Sequence, residues 1–322
     1  TGLYGLENYY NQLLAGTNGR IITARDARGN EMPYEYEEYI EAKDGYNLTT
    51  TLDAYVQAAL EQQLENAYTA SGGKNRAAGV VMNVNTGEIL GMAVYPYFNL
   101  NDPWTLDEQS EEKLNDCECE EGTEEHDAYR QKLLMEMWKN KALTDSYIPG
   151  STFKVITASM ALEEDKVKTD ETHTCVGYET VLGHKIHCHK TTGHGTLTFS
   201  KGIQQSCNPW LMTVGLRLGK ETFSNYITSF GYREKTGIDL PGEGKGVIYA
   251  FGQNFNVTLI QQITAISAVA NGGYLVTPHL LSKVTDRDGN VIRSYDTQVR
   301  RQVVSAEVCK TVSAILEEGV ST

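Results

Sequence analysis

The stretch Tyr147-Ile-Pro-Gly-Ser-Thr-Phe-Lys154, running directly into Val155-Ile-Thr-Ala-Ser-Met-Ala-Leu162, constrains this chain more than any other. Proline and glycine punctuate the backbone ahead of an apolar run that reads as a buried helix. Ser151 then falls in the first helical turn, with Lys154 one turn along on the same face, because positions i and i+3 are surface neighbours. A serine hydroxyl is a poor nucleophile at neutral pH and needs a base beside it. The helix start adds unpaired N–H groups and partial positive charge, which favour an oxyanion. The segment therefore points to an acylating serine enzyme with a lysine base.

Ser-x-x-Lys alone is a weak signal, since it recurs as Ser71-Gly-Gly-Lys74 and Ser110-Glu-Glu-Lys113. The first lies in a glycine-rich connection and the second in an acidic stretch, so both read as solvated loop serines. For Ser151 the competing reading is an N-cap serine beside an unrelated surface lysine.

The chain has 322 residues, enough for one large domain with a smaller attachment. Its 28 basic and 42 acidic residues leave a net charge of −14, which argues against nucleic acid or an anionic membrane surface as the main partner. No run approaches the length of a membrane-spanning helix. The opening Thr1-Gly-Leu-Tyr4 carries no leader, which leads us to expect a piece of a longer protein.

Residues 1–47 are polar and tyrosine-rich, with turn signals at Gly16-Thr-Asn-Gly19 and Asp26-Ala-Arg-Gly29, and read as the end of a separate strand-and-loop module. Leu52, Val56, Ala59, Leu60 and Leu64 recur at helical spacing. Residues 78–84 and 88–94, joined by Asn85-Thr-Gly87, read as a β-hairpin. The acidic residues 106–127 read as a solvated loop or insertion. Short strands are expected in the cysteine- and histidine-rich stretch after the Ser151 helix. Helices follow over 211–218, 221–230, 258–270 and 305–318, with strands over 274–284 and 291–295. Helices and hairpins mix without βαβ regularity. The fold class expected is α/β of the α+β type, an antiparallel sheet with helices on both faces.

Ser206-Cys207-Asn208 follows 55 residues after Ser151, just ahead of Pro209-Trp210 and another helix. The serine can relay a proton to a leaving group, and the amide can bind a substrate amide. Alone, such a triplet usually caps a helix. With a Ser-x-x-Lys helix it is the second signature of the penicillin-recognising serine enzymes. Further segments stand in order: Gly5-Leu-Glu7, Thr86-Gly-Glu-Ile-Leu-Gly-Met92, Lys235-Thr-Gly-Ile-Asp-Leu-Pro-Gly-Glu243, Phe251-Gly-Gln253, and Ala270-Asn-Gly-Gly273 before Pro278-His279. On these residues nearly the whole chain resembles a class B penicillin-binding protein, a peptidoglycan D,D-transpeptidase, most like division- and sporulation-type members from clostridia-like Gram-positive bacteria.

The resemblance implies that Ser151 is acylated by the penultimate D-Ala of a stem peptide. It implies Lys154 as general base, and Ser206 and Asn208 in proton transfer and substrate positioning. It further implies stem peptides and lipid-linked precursors as substrates, β-lactam antibiotics as inhibitors, and a membrane glycosyltransferase as partner. An N-terminal anchor would hold the protein at the outer face of the cell membrane. Residues 1–47 would be the last part of a pedestal module and 48–322 the transpeptidase domain. The family's third motif, Lys-Thr/Ser-Gly, lies on an edge strand after the Phe-Gly-Gln segment. Lys235-Thr236-Gly237 precedes Phe251 and reads as a decoy, so the true motif is expected beyond Thr322. The Gly246–Phe251 segment is also shorter than the family pattern, as if a loop were missing.

Cys175, Cys188, His194 and Cys207 form Cys-x12-Cys-x5-His-x12-Cys. Three thiolates and an imidazole make a closed tetrahedral set of the kind structural zinc takes. Some elongation-type members of the family it resembles hold zinc with Asp/Asp/His/Cys at similar spacing from the nucleophile. If Ser206-Cys207-Asn208 is extended, Cys207 faces away from its neighbours, and zinc beneath it would steady the triplet. His187 and His189 would then project opposite to Cys188 and, like His173 and His184, read as surface histidines. The competing arrangement is a Cys175–Cys188 disulfide with Cys207 buried. Cys117-Glu-Cys119 reads as a loop or a weaker metal or redox site, and Cys309 as core. Two other functions compete with the transpeptidase: a serine β-lactamase, and a non-catalytic β-lactam sensor or wall-synthesis scaffold.

Overall fold

Asp53 starts the first long helix, Ala54–Ala70, by accepting the backbone N–H groups of Tyr55 and Val56, which would otherwise lack partners. A computed structural model describes residues 2–23, 37–73, 76–181, 183–246 and 255–321. The chain divides into two compact units. One comprises the chain to Thr51 with Asp239–Pro241 and His279–Asp296, the other Leu52–Ile238, Gly242–Pro278 and the chain from Thr297.

In the larger unit the 54–70 helix lies on the hairpin Ala77–Met82 and Ile89–Tyr95, paired antiparallel from Ala77↔Tyr95 to Met82↔Ile89. Ile89, Gly91 and Ala93 alternate inward, the period of two that a half-buried strand requires. The helix Lys154–Glu163 is buried without a break from Ile156 to Ala161. Helices Asn208–Ser229, Leu259–Ala270 and Ala306–Val320 surround it. Trp210, Tyr232, Phe199 and Phe230 are among the largest fully buried side chains of this core, each contributing about 1.5–3 kcal/mol by burial. Thr258 and Gln261 close a capping box on the 259–270 helix. Ser305 caps the last helix and donates its hydroxyl to Glu163 at 2.8 Å, tying it to the end of the Lys154–Glu163 helix. Every strand pair among the described residues is antiparallel, and the fold class is the α/β one expected.

Three local expectations change. The acidic stretch carries helices at Glu108–Asn115 and Glu124–Trp138, capped by Asp107 and Thr123. Its carboxylates cluster in their first turns, where the helix dipole favours them. Leu133, Leu134 and Met137 then bury against Leu106. The expected strand over 274–284 is two strands, separated around Pro278, which has no N–H to give a ladder. Tyr274–Val276 pairs with an unforeseen strand, Val299–Gln302. Leu281–Thr285 pairs with Asn47–Thr50 and Val291–Ser294 in the smaller unit. That unit also opens on helical turns, Gly5–Tyr9 and Asn11–Leu14, before the hairpin Arg20–Thr23/Glu37–Ile40. Buried Asp239 accepts the Tyr10 hydroxyl and the Leu280 and Leu281 N–H groups within it. The expected helices over 211–218 and 221–230 are present as one run interrupted at Gly219. The expected turn at 26–29, the Phe251-Gly-Gln253 segment and the short loop before it lie outside the described residues.

Candidate active site

Ser151 lies in a single 3-10 turn, Gly150–Phe153, that feeds the helix beginning at Lys154. Gly150 has φ 57°, a left-handed conformation that glycine takes without steric cost. The turn is anchored from both ends. Phe153 packs against Phe223, Tyr232 and Phe255. Thr152 donates its hydroxyl to the Pro149 carbonyl at 2.7 Å and accepts from the Gln262 amide at 3.1 Å, while Gln262 accepts the buried Tyr232 hydroxyl at 2.9 Å. Sequence reasoning missed Thr152, Gln262 and Tyr232. Thr152 and Gln262 stand 110 residues apart, and no local pattern joins them. Ser151 itself is exposed.

Lys154 is half-buried, and its Nζ lies within hydrogen-bond distance of three oxygens of the second segment: the Ser206 carbonyl at 2.7 Å, the Ser206 hydroxyl at 2.8 Å and the Asn208 side-chain carbonyl at 2.5 Å. Burial holds its pKa below the ordinary lysine value, outweighing the electrostatic influence of Cys188 and Cys207, which acts the other way. Asn208 in turn donates its amide to the His187 carbonyl at 3.0 Å.

The triplet is not extended. Ser206 has φ 50°, Cys207 caps the helix that starts at Asn208, and the Ser206 and Cys207 N–H groups bond back to Ile203 and Gly202. This tight turn still buries Cys207 fully while Ser206 and Asn208 reach Lys154. Gly202 permits it: a Cβ there would lie 2.4 Å from Trp210 Cδ1.

Beneath the turn, the sulfurs of Cys175, Cys188 and Cys207 and a ring nitrogen of His194 lie within 4.8 Å of one another. All three cysteines are buried free thiols, so the Cys175–Cys188 disulfide is not formed. Antiparallel pairing of Thr172–Cys175 with Gly195–Thr198 sets Cys175 opposite Gly195, next to His194. Cys188 Sγ is 3.5 Å from His194 Nδ1. Burial pushes the Cys207 thiol up to about 12, and thiol neighbours at Cys175 and Cys188 add to this. Burial acts likewise on Cys175, but N–H groups of His194 and Gly177 and the two other thiols outweigh it and lower its pKa. N–H donors aimed at a buried sulfur favour the thiolate, the form that binds metal. The donor set fits zinc.

His184, His187 and His189 are exposed as expected, while His173 is not, and strand alternation fails as the reason for His189. The strand His184–His187 ends before Cys188, so alternation does not carry His189 to the far side; its Nδ1 lies 3.9 Å from Cys188 Sγ and its ring 5.1 Å from that of His194. His173 is half-buried and stacks on Trp210 at 4.9 Å. Of the repeated Ser-x-x-Lys patterns, Ser71 is exposed at a helix end, and Lys74 lies outside the described residues. Ser110 is no loop serine: it is buried in a helical first turn and, with Lys113, borders a separate cleft of about 540 Å³ that Ser151 does not line. Lys235-Thr236-Gly237 lies outside any strand, with Thr236 buried and bonded to Glu243. Cys117 and Cys119 form a disulfide with each other.

A serine turn leading into a buried helix, a lysine reaching across to a Ser-x-Asn turn, and antiparallel strands beside them define the fold of the penicillin-recognising serine transpeptidases. The penicillin binding protein transpeptidase domain matches residues 77–322, and the chain belongs to that family. It is 37% identical over 336 residues to stage V sporulation protein D of Bacillus subtilis, covering 99% of this chain and 48% of that protein. It is 28% identical over 307 residues to the peptidoglycan D,D-transpeptidase MrdA of Acinetobacter baumannii, covering 87% of this chain and 42% of that one. The crystal structure of penicillin binding protein 2X from Streptococcus thermophilus superimposes with a TM-score of 0.75 at 28% identity, over 98% of this chain and 44% of that chain. The chain thus spans about half the length of the relatives it matches.

Proposed function

We propose that this chain carries the catalytic domain of a peptidoglycan D,D-transpeptidase that acts through an acyl-enzyme on Ser151. The observation that carries the reading is Lys154, half-buried one turn after Ser151 and bonded to both Ser206 and Asn208. Burial favours the neutral amine, the form that can accept the Ser151 proton. The Ser151 oxygen attacks the carbonyl of the penultimate D-Ala, and the bond to the terminal D-Ala nitrogen breaks. Ser206, in contact with Lys154, passes the proton to that nitrogen, releasing D-alanine. Asn208 orients the substrate amide. An amine of a second stem peptide then attacks the ester, forms the cross-link and returns the hydroxyl proton to Ser151. A β-lactam would acylate the same oxygen and deacylate slowly. Lipid-linked precursors place the reaction outside the cytoplasmic membrane, with an N-terminal anchor and a membrane glycosyltransferase as partner. No described helix of this chain is long and apolar enough to cross a membrane.

Cys175, Cys188, His194 and Cys207 would hold structural zinc, which supplies a closed four-ligand cross-link rather than an open position for water. Cys207, as ligand, keeps the Ser206–Asn208 turn rigid under Lys154.

The test is intact-mass analysis of the full-length protein after exposure to penicillin. One stable penicilloyl adduct is expected on Ser151 and none in Ser151→Ala. Rapid release of penicilloic acid would point to a β-lactamase, and no adduct at all to a scaffold.

A further inference from the structure

The strands Tyr178–Val181 and His184–His187 form a hairpin whose two faces differ. Glu179, Val181 and Ile186 are half-buried, while Tyr178, Thr180, Lys185 and His187 are exposed on the other face. Register places Tyr178 opposite His187 and Thr180 opposite Lys185. The Lys185 ammonium sits 3.6 Å over the Tyr178 ring, a cation–π contact that holds a flexible side chain in one place.

The hairpin adjoins the site along the edge of its second strand. The His187 carbonyl accepts the Asn208 amide at 3.0 Å, and Asn208 binds Lys154. The hairpin is fixed at its base as well. Cys175 lies three residues before it and Cys188 immediately after it, and both converge on Cys207 inside the Ser206–Asn208 turn. Hairpin and turn therefore share one anchor. A basic, aromatic face is unusual on a chain of net charge −14, and its one acidic strand residue, Glu179, faces the other way, toward His173.

We propose that Lys185, seated on Tyr178, is a specificity-determining residue that binds a free carboxylate of the stem peptide, upstream of its D-Ala-D-Ala end. The proposal rests on the transpeptidase reading and deepens it. Lys185 selects the peptide and takes no part in bond making or breaking.

Two synthetic pentapeptides ending in D-Ala-D-Ala, identical except that the acidic residue carries a free carboxylate or a primary amide, test this with the full-length protein. D-alanine release should show a kcat/KM about twofold to fivefold higher for the carboxylate peptide, the range of one partly exposed charge pair, expressed in KM. Lys185→Ala should erase that preference and Lys185→Glu reverse it. Both variants should keep the wild-type rate of penicillin acylation. A wild-type enzyme indifferent to the carboxylate, or a preference that survives Lys185→Ala, overturns the proposal. Failure of the wild type to be acylated by penicillin overturns the transpeptidase reading itself, and the proposal with it.

Discussion

The Lys154 nitrogen stands 2.8 Å from the Ser206 hydroxyl oxygen, although 52 residues separate the two in the chain. Ser206 holds this position with a left-handed backbone, φ 50°, which a non-glycine residue keeps only where its surroundings force it. The forcing comes from the N–H groups of Ser206 and Cys207, bonded back into the preceding helix, and from Cys207, buried below. The site thus stores strain in the residue that meets the lysine.

Ser206→Gly separates strain from chemistry. Glycine accepts φ 50° freely, so the variant should gain about 1 kcal/mol in stability, read as a higher melting temperature. Removing the proton relay should slow penicillin acylation about a hundredfold. A variant that melts earlier than wild type would sink the strain account.

Burial lowers the pKa of Lys154 below 10.5. The base must be neutral to take the Ser151 proton, so the acylation rate rises with pH through that lowered pKa and levels off above it. Below it, the rate falls about tenfold per pH unit. Stopped-flow acylation by a fluorescent penicillin across a pH series measures the profile. In Lys154→Gln the inflection should disappear along with most of the rate.

Local patterns brought Ser151, Lys154, Ser206 and Asn208 forward as candidates, because each pair lies within a few residues and marks a helix start, and the structure brings the last three into contact. The grouping of Cys175, Cys188, His194 and Cys207 was legible too, since cysteine and histidine types narrow the chemistry before any geometry is known. What stayed hidden was long-range. Gln262 reaches Thr152 across 110 residues, and nothing in the apolar helix around Gln262 marks its amide as a strut. The acidic stretch misled for a different reason: Glu108, Glu111, Glu124 and Glu125 look solvated as composition but are first-turn residues of two helices. Alternation failed at His189 because the strand ends at His187, one residue before the rule was needed.

Gln262→Leu should weaken the turn that carries Ser151. It leaves the Tyr232 hydroxyl, fully buried, without its acceptor and removes the donor to Thr152. The cost should be about 1–3 kcal/mol, with slower acylation at unchanged Lys154 pH dependence. Adding Tyr232→Phe should recover part of the stability, since deleting both partners of a buried bond costs less than orphaning one. Chemical denaturation of the two single variants and the double closes the cycle.

Metal analysis of purified full-length protein should find about one zinc per chain. Cys188→Ser replaces a thiolate ligand with a poor one and should lose the metal. His189→Ala, whose ring lies beside the cluster but 3.9 Å from Cys188 Sγ, should retain it. Because Cys207 is both a cluster member and the middle of the Ser206–Asn208 turn, the effect should reach catalysis. Penicillin acylation in Cys188→Ser, or in wild type stripped by a chelator, should slow about tenfold or more, and zinc should restore it only in the stripped wild type. A metal-free wild-type protein acylated at full rate would end the zinc reading and leave the three buried thiols as packing.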